Sequence, residues 1–275
     1  VLLIFSVAWY HGFRALILGQ FAIIEALLIV GAIFAIQKEQ DVIAGVLLAL
    51  SISKPQMSFL LILFVLIWAI TKRRWSLIIS MMVSFGIIIG LSLFVMPDWP
   101  LRWIRQVVSY PDYTNTKPVV GIIADLFPAF SQWINIGLTL LVILYLIWEW
   151  ILALGKDDSW FQWTAAMTLL LTNIIVVRTA TTNYLSMVPG LILVFSIWVS
   201  RWNRRGRLAV LGVLALFFVV LWILFLSTVD GNLESPVMYL PFPIVLLFFL
   251  WWIRWWATRP TKLPLEKDYV IGVNP

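Results

Sequence analysis

Lys54-Pro55-Gln56 sets a cation and a helix breaker between two apolar runs, residues 42–53 and 57–70. At ~1.5 Å per residue these runs reach only about 18 and 21 Å as helices, short of a hydrocarbon core of about 30 Å. They form either a recessed helical hairpin that turns at Lys54 or one long helix kinked at Pro55. Both hold the ammonium below the membrane surface, where ionisable side chains are rare and face a wet cavity or a partner. A lysine snorkelling from a helix end is the plainer alternative. The chemistry that a recessed cation offers is binding of a phosphate-bearing ligand, since Lys and Arg donate charge-assisted hydrogen bonds to phosphate oxygens. Arg178 and Arg14 fall on the same side and extend that possibility. Arg102 and Lys117 are expected instead in ordinary loop ion pairs with Asp98, Asp112 and Asp125.

The elements that must position these groups are set by composition. Of 275 residues, 63% are hydrophobic and 12% charged, with a mean hydropathy of +1.01. Apolar segments recur along the whole length and none alternates as a barrel strand would. The fold class is therefore all-α, a polytopic membrane helical bundle of about eight complete spans plus a partial first helix. Residues 1–275 read as a single transmembrane domain. The chain starts inside an apolar run, so it reads as a fragment whose beginning is missing.

In order, the spans are expected at 21–36, at the two arms 42–53 and 57–70, and at 76–96, 134–154, 160–177, 184–200, 208–227 and 239–256. Residues 97–133 form an outer loop, in which 100–110 sets Trp103, Val107 and Tyr110 on one face as an interfacial helix does. Residues 258–275 make a basic cytoplasmic tail. With the hairpin reading, all but Arg14, Lys54, Arg102, Arg105, Lys117 and Arg178 of the 19 Lys and Arg lie on one side, which the positive-inside rule makes cytoplasmic. The net charge of +6 thus comes from orientation signals and does not point to nucleic acid. There is no cysteine and His11 is the only histidine, so thiolate and zinc chemistry are excluded, no metal site is expected, and no cofactor is implied.

Among the 17 tryptophans, Trp198, Trp202, Trp251, Trp252, Trp255 and Trp256 stand at helix ends beside arginines, as an aromatic belt. Trp99, Trp103 and Trp133 flank the outer loop. Glu25 lies inside a span and is expected to pair with Lys54 or Arg14.

Gly19-Gln20, an apolar span, Ala44-Gly45-Val46-Leu47-Leu48-Ala49-Leu50, Lys54-Pro55-Gln56 and a second apolar span closed by Arg73-Arg74-Trp75 together resemble glycosyltransferase family 87. The resemblance covers about residues 19–75 and is looser beyond. It implies a multi-pass enzyme of the GT-C type in the plasma membrane, moving a hexose, typically mannose, from a polyprenyl-phosphate donor to a lipid or glycan acceptor on the non-cytoplasmic face. On that basis Lys54 is the leading ligand of the donor phosphate, with Arg178 and Arg14 beside it. Gln20, Gln56, Asn183, Tyr184 and His11 are the contacts to sugar or acceptor. The resemblance puts the catalytic aspartate in a first external loop, in the region missing at the front, so the catalytic base is unknown here. The chain departs from the family pattern at Gly19-Gln20-Phe21-Ala22, where many relatives carry Gly-Gln-x-Asn, and at 178–184, where mannosyltransferase members carry a histidine. Asn115-Thr116-Lys117 only echoes an outer-loop asparagine cluster. A secondary transporter also uses broken helices, but no internal repeat pairs with the Pro55 hairpin. An inert membrane scaffold is the remaining alternative.

Overall fold

The computed structural model describes residue 5 and residues 7–113, 117–176, 180–231 and 234–259. Among them the regular structure is helical: α1 (Tyr10–Ile17), α2 (Ala22–Gln37), α3 (Asp41–Leu50), α4 (Pro55–Thr71), α5 (Trp75–Val95), α6 (Trp99–Tyr113), α7 (Val119–Ala124), α8 (Ser131–Ala153), α9 (Asp158–Ile175), α10 (Val188–Thr228) and α11 (Pro241–Ala257). Short 3-10 turns at Ser51–Ser53, Thr181–Met187 and Pro236–Tyr239 lead into α4, α10 and α11. Four segments are long and apolar enough to cross a membrane, namely Trp75–Val95, Pro128–Ala153, Thr181–Thr228 and Pro236–Ala257, with shorter apolar helices at Ala22–Gln37, Asp41–Ser53 and Pro55–Thr71. The protein is an all-α membrane helical protein.

The two runs around Lys54 reverse direction there. The turn at Ser53 reaches Glu25 near the start of α2, and the far end of α4 returns to the base of α3, where Arg74 pairs with Asp41 and donates from Nη1 to the Ile36 carbonyl (3.0 Å). A kinked continuous helix would carry Arg74 to the opposite end. The hairpin is open: α3 packs on α2 and α5, whereas α4 leans away onto α9, stacking Phe64 and Trp68 against Phe161. Long α10 is likewise two arms, 188–202 and 204–228, broken at Asn203 (φ 46°, ψ −114°). Both outer ends of that hairpin return to one place, since Thr181 meets Glu234 and Phe225 meets Tyr10.

α9 is the central helix, and its composition explains why. It carries Thr164, Thr168, Thr172 and Asn173, which in lipid would be costly. Buried among neighbours, Thr168 and Thr172 donate to the carbonyls one turn back (2.7 and 2.6 Å), and Asn173 donates to Leu169 O and Ser186 Oγ (both 2.9 Å). α5 is the reverse case, lying at the periphery with Ile79, Val83, Ile87 and Leu91 exposed.

α5 is held to α3 by a small residue at the crossing, as helices in lipid are when close packing rather than the hydrophobic effect drives association. A Cβ on Gly45 would strike Ser80 Oγ and stand 2.5 Å from Leu77 O and 2.7 Å from Met81 N. Gly45→Ala should therefore push α5 off α3 and cost about 1–3 kcal/mol. A fall of several degrees in Tm in detergent is the expected result, and an unchanged Tm would contradict the close crossing.

Residues 97–133 hold α6 and α7 between α5 and α8. α6 exposes Leu101, Trp103, Ile104, Val107 and Val108. Arg102 pairs with Asp98 (2.6 Å) and Lys117 with Asp125 (2.6 Å), so these two cations serve local ion pairs. The side chains of Tyr110 and Asp112, and residues 114–116, lie outside the described residues, as do Lys262 and Lys267 of the tail.

Candidate functional site

Two polar groups of side chains meet at the end of the bundle opposite Arg74. The first is built on the hairpin turn. Lys54 is the N-cap of α4, with Pro55 at the first helical position, where its missing N–H and fixed φ suit a helix start. A cation is the unfavourable charge at this end of a helix, because the backbone dipole is positive there too. Ammonium and dipole together attract an anion. Glu25, fully buried on α2, is the carboxylate closest in influence: Ser53 Oγ donates to its Oε2 (3.2 Å), and its Oε1 has no hydrogen-bond partner among the described residues. The expected Glu25 ion pair is absent, since neither Lys54 nor Arg14 lies within 4 Å of it. A serine hydroxyl holds the carboxylate instead, while Lys54 stays half-buried without an ion-pair partner among the described residues.

Ser58 and Ser51 fix the turn. Ser58 Oγ donates to the Ser51 carbonyl (2.6 Å), and Ser51 Oγ donates to the Leu48 carbonyl (2.9 Å). They satisfy backbone and hydroxyl groups that would otherwise be unpaired in a buried bend.

The second group is centred on Glu234, in the connection between α10 and α11. Its Oε1 accepts from the Tyr10 hydroxyl and from Thr181 Oγ1 (both 2.6 Å), and its Oε2 lies 3.7 Å from Arg14 Nε. Arg14 also stacks over Phe225 at 5.3 Å. Arg14, expected as a helper ligand of the donor phosphate, is engaged here by the Glu234 carboxylate. The available signal was an acid in an outer loop on the side that collects unexplained cations. Arg178 lies outside the described residues.

His11 is fully buried beneath the same cluster, its ring against Trp9 (4.8 Å), Tyr10 (5.1 Å) and Tyr184 (5.1 Å), and neither nitrogen has a partner among the described residues. Tyr184 donates to the Tyr239 carbonyl (2.9 Å) and Asn183 is buried beside it. The segment Thr181–Met187 that carries both packs on α1 and α2, so it joins the two polar groups. A helix N-terminus was expected directly after Asn183, but the 3-10 turn delays it to Val188. Gln20 and Gln56 are half-buried near the start of α2 and of α4. Gly19 fixes Gln20: at φ +57° it ends α1 in the left-handed conformation that glycine tolerates, letting Gln20 N–H reach the Ala15 carbonyl (2.8 Å).

Of the acids between α5 and α8, Asp98 and Asp125 are occupied. Hydrogen bonds from Lys117 and Ser131 hold the Asp125 carboxyl below its usual range, making it a poor proton acceptor.

Below the polar end runs an apolar groove of about 490 Å³ between α2 and the first arm of α10, lined by Leu16, Ile23, Ala26, Leu27, Leu191 and Phe195 among others. Its walls are the neighbours in sequence of His11, Glu25 and Tyr184. A smaller cavity of about 270 Å³, sharing Val30 and Ile192, continues it toward Gln37 and Gln162.

Fold and site define an all-α membrane protein with ionisable side chains gathered at one end above a lipid-like groove. Within that class, the model of Glycosyltransferase family 87 matches residues 1–127, just under half of the chain, so this stretch is similar to that family. The family implies a membrane glycosyltransferase that takes a sugar donor and an acceptor. The matched stretch holds Arg14, Gln20, Glu25 and Lys54, whereas Asn183, Tyr184 and Glu234 lie beyond it. No curated protein and no solved structure matches the chain.

Proposed function

We propose that this protein transfers a hexose, mannose foremost, from a polyprenyl-phosphate donor to a lipid or glycan acceptor on the non-cytoplasmic face of the plasma membrane, as a multi-pass enzyme. The observation that carries the reading is the apolar groove rising to the end where Lys54 stands unpaired. A long-chain phosphate ligand needs both halves of that arrangement.

In the transfer, the bond between the sugar anomeric carbon and the phosphate oxygen breaks and a bond from the acceptor oxygen to that carbon forms. The bonding pair leaves with the phosphate, which gains one negative charge. Lys54 and the positive end of the α4 dipole supply that growing charge with fixed electrostatic stabilisation, the kind that lowers a barrier most. We assign the contacts to sugar and acceptor to Gln20, Gln56, Asn183, Tyr184 and His11, the first two half-buried and the last three buried, and Arg178 is proposed as a further ligand of the donor phosphate. The acceptor proton must pass to a carboxylate. Glu25, with a free oxygen beside Lys54, is better disposed for this than Asp98 or Asp125.

Filling the groove tests the reading. Ala26→Trp places an indole where the polyprenyl chain would lie, away from Lys54. With a short-chain polyprenyl-phosphate mannose in detergent, KM for the donor should rise about tenfold, the size expected when apolar binding surface is lost, while kcat changes little. An unchanged KM in a folded, active variant would place the chain elsewhere.

A further inference from the structure

At the basic end of the bundle, far from Lys54, a second cavity of about 520 Å³ is bounded by Trp160, Trp251, Arg254, Trp255, Thr258 and Arg259. Arg254 crosses its floor, with its guanidinium 5.4 Å from the Trp160 ring and 5.1 Å from the Trp163 ring. One face of that guanidinium is committed, since Nη2 donates to Glu149 Oε2 (2.9 Å). Its Nε is buried and has no partner among the described residues, a donor left unsatisfied in a wall that is otherwise aromatic. Arg259 stacks on Trp255 at 4.1 Å and has no carboxylate within ion-pair distance among the described residues. The nearby acid Asp157 is taken up as the cap of α9, accepting from Ser159 Oγ (2.6 Å) and Trp160 N (3.3 Å). The cavity therefore presents an unsatisfied donor and an unneutralised cation inside a ring of indoles.

We propose that this cavity binds the phosphate headgroup of an anionic glycerophospholipid from the adjoining leaflet. The position decides the occupant. α11 ends here, with Trp251, Trp252 and Trp255 exposed at the level where indoles sit in a bilayer interface. A phosphodiester at that level can accept from the Arg254 Nε and from Arg259 while its acyl chains run down the exposed indoles. Basic pockets between spans at the cytoplasmic side are where anionic headgroups are held. The inference is independent of the sugar-transfer reading, because none of its residues belongs to the polar end.

Native mass spectrometry from non-ionic detergent, after incubation with phosphatidylglycerol or with phosphatidylcholine of the same chains, tests it. Wild type should retain one phosphatidylglycerol in preference to phosphatidylcholine. Arg259→Gln should weaken retention about fivefold, the size expected for one basic residue near an anionic surface. The double variant Glu149→Gln with Arg254→Gln keeps an amide pair in place of the ion pair and so guards the fold, and it should weaken retention by a similar factor. Arg204→Gln with Arg205→Gln removes two exposed cations outside the cavity and should leave retention as it was. Equal retention of the two lipids, or loss caused by the Arg204/Arg205 variant but not by the cavity variants, would overturn the site. Displacement of the lipid by inorganic phosphate alone would overturn the lipid assignment in favour of a free-anion site.

Discussion

Lys54→Met is expected to lower the rate of sugar transfer about a hundredfold while the protein stays folded. The substitution keeps side-chain length and removes the ammonium, so it isolates charge. In the proposed reaction the phosphate gains a negative charge as it leaves. The loss of one fixed contact to such a charge costs roughly 3 kcal/mol, which is about a hundredfold in rate. Lys54→Arg restores charge at the turn and should recover part of the activity. The measurement is transfer from a short-chain polyprenyl-phosphate mannose to an acceptor in detergent, with Tm followed in parallel. Wild-type rates in folded Lys54→Met would remove Lys54 from the mechanism. If wild type itself transfers nothing from any polyprenyl-phosphate sugar, the inert-scaffold reading gains instead.

The second large effect is structural. Glu234→Ala removes the oxygen that Tyr10 and Thr181 share and leaves Arg14 without its carboxylate. Breaking a buried pair in this way costs about 3–5 kcal/mol, since the stranded charge keeps its desolvation penalty. The expected readout is a fall in Tm on the order of 10 °C. Glu234→Gln separates the two parts of the interaction: its amide oxygen can still accept from both hydroxyls, so only the attraction to Arg14 is lost and the fall should be smaller. Equal effects of Ala and Gln would mean that the hydroxyl bonds contribute nothing, and no effect of Ala would mean that α1 is not tied to the 234 loop.

The helical class and the reversal at Lys54 were legible because they rest on local quantities. Two apolar arms too short to span, with a proline between them, leave few choices, and basic clusters at Arg73-Arg74 mark where an arm must end. The pairing of Lys117 with Asp125 and of Arg102 with Asp98 was legible for the same reason, being short in sequence. Glu234 was not. Its partners Tyr10 and Thr181 are 224 and 53 residues away, and no periodicity announces a contact of that range. The Arg14–Glu234 pair was hidden on that account, and Glu25, expected in an ion pair, instead has one oxygen held by the Ser53 hydroxyl. The 3-10 turn at Thr181–Met187 escaped as well, because polar residues before an apolar run give the same pattern whether the helix begins at once or a turn later.

The arms of the Lys54 hairpin carry one more consequence. The ascending arm, ten residues of α3 and three of 3-10 turn, rises about 21 Å, and the seventeen-residue α4 about 26 Å. Against a hydrocarbon thickness of about 30 Å, the turn stops short of the interface by several ångströms. The bilayer must dimple or thin above it, at a cost of a fraction of a kcal/mol for each ångström of mismatch. Acyl-chain length therefore becomes a variable that reaches Lys54 directly: thin bilayers bring the headgroup region down to the ammonium, and thick ones bury it under hydrocarbon.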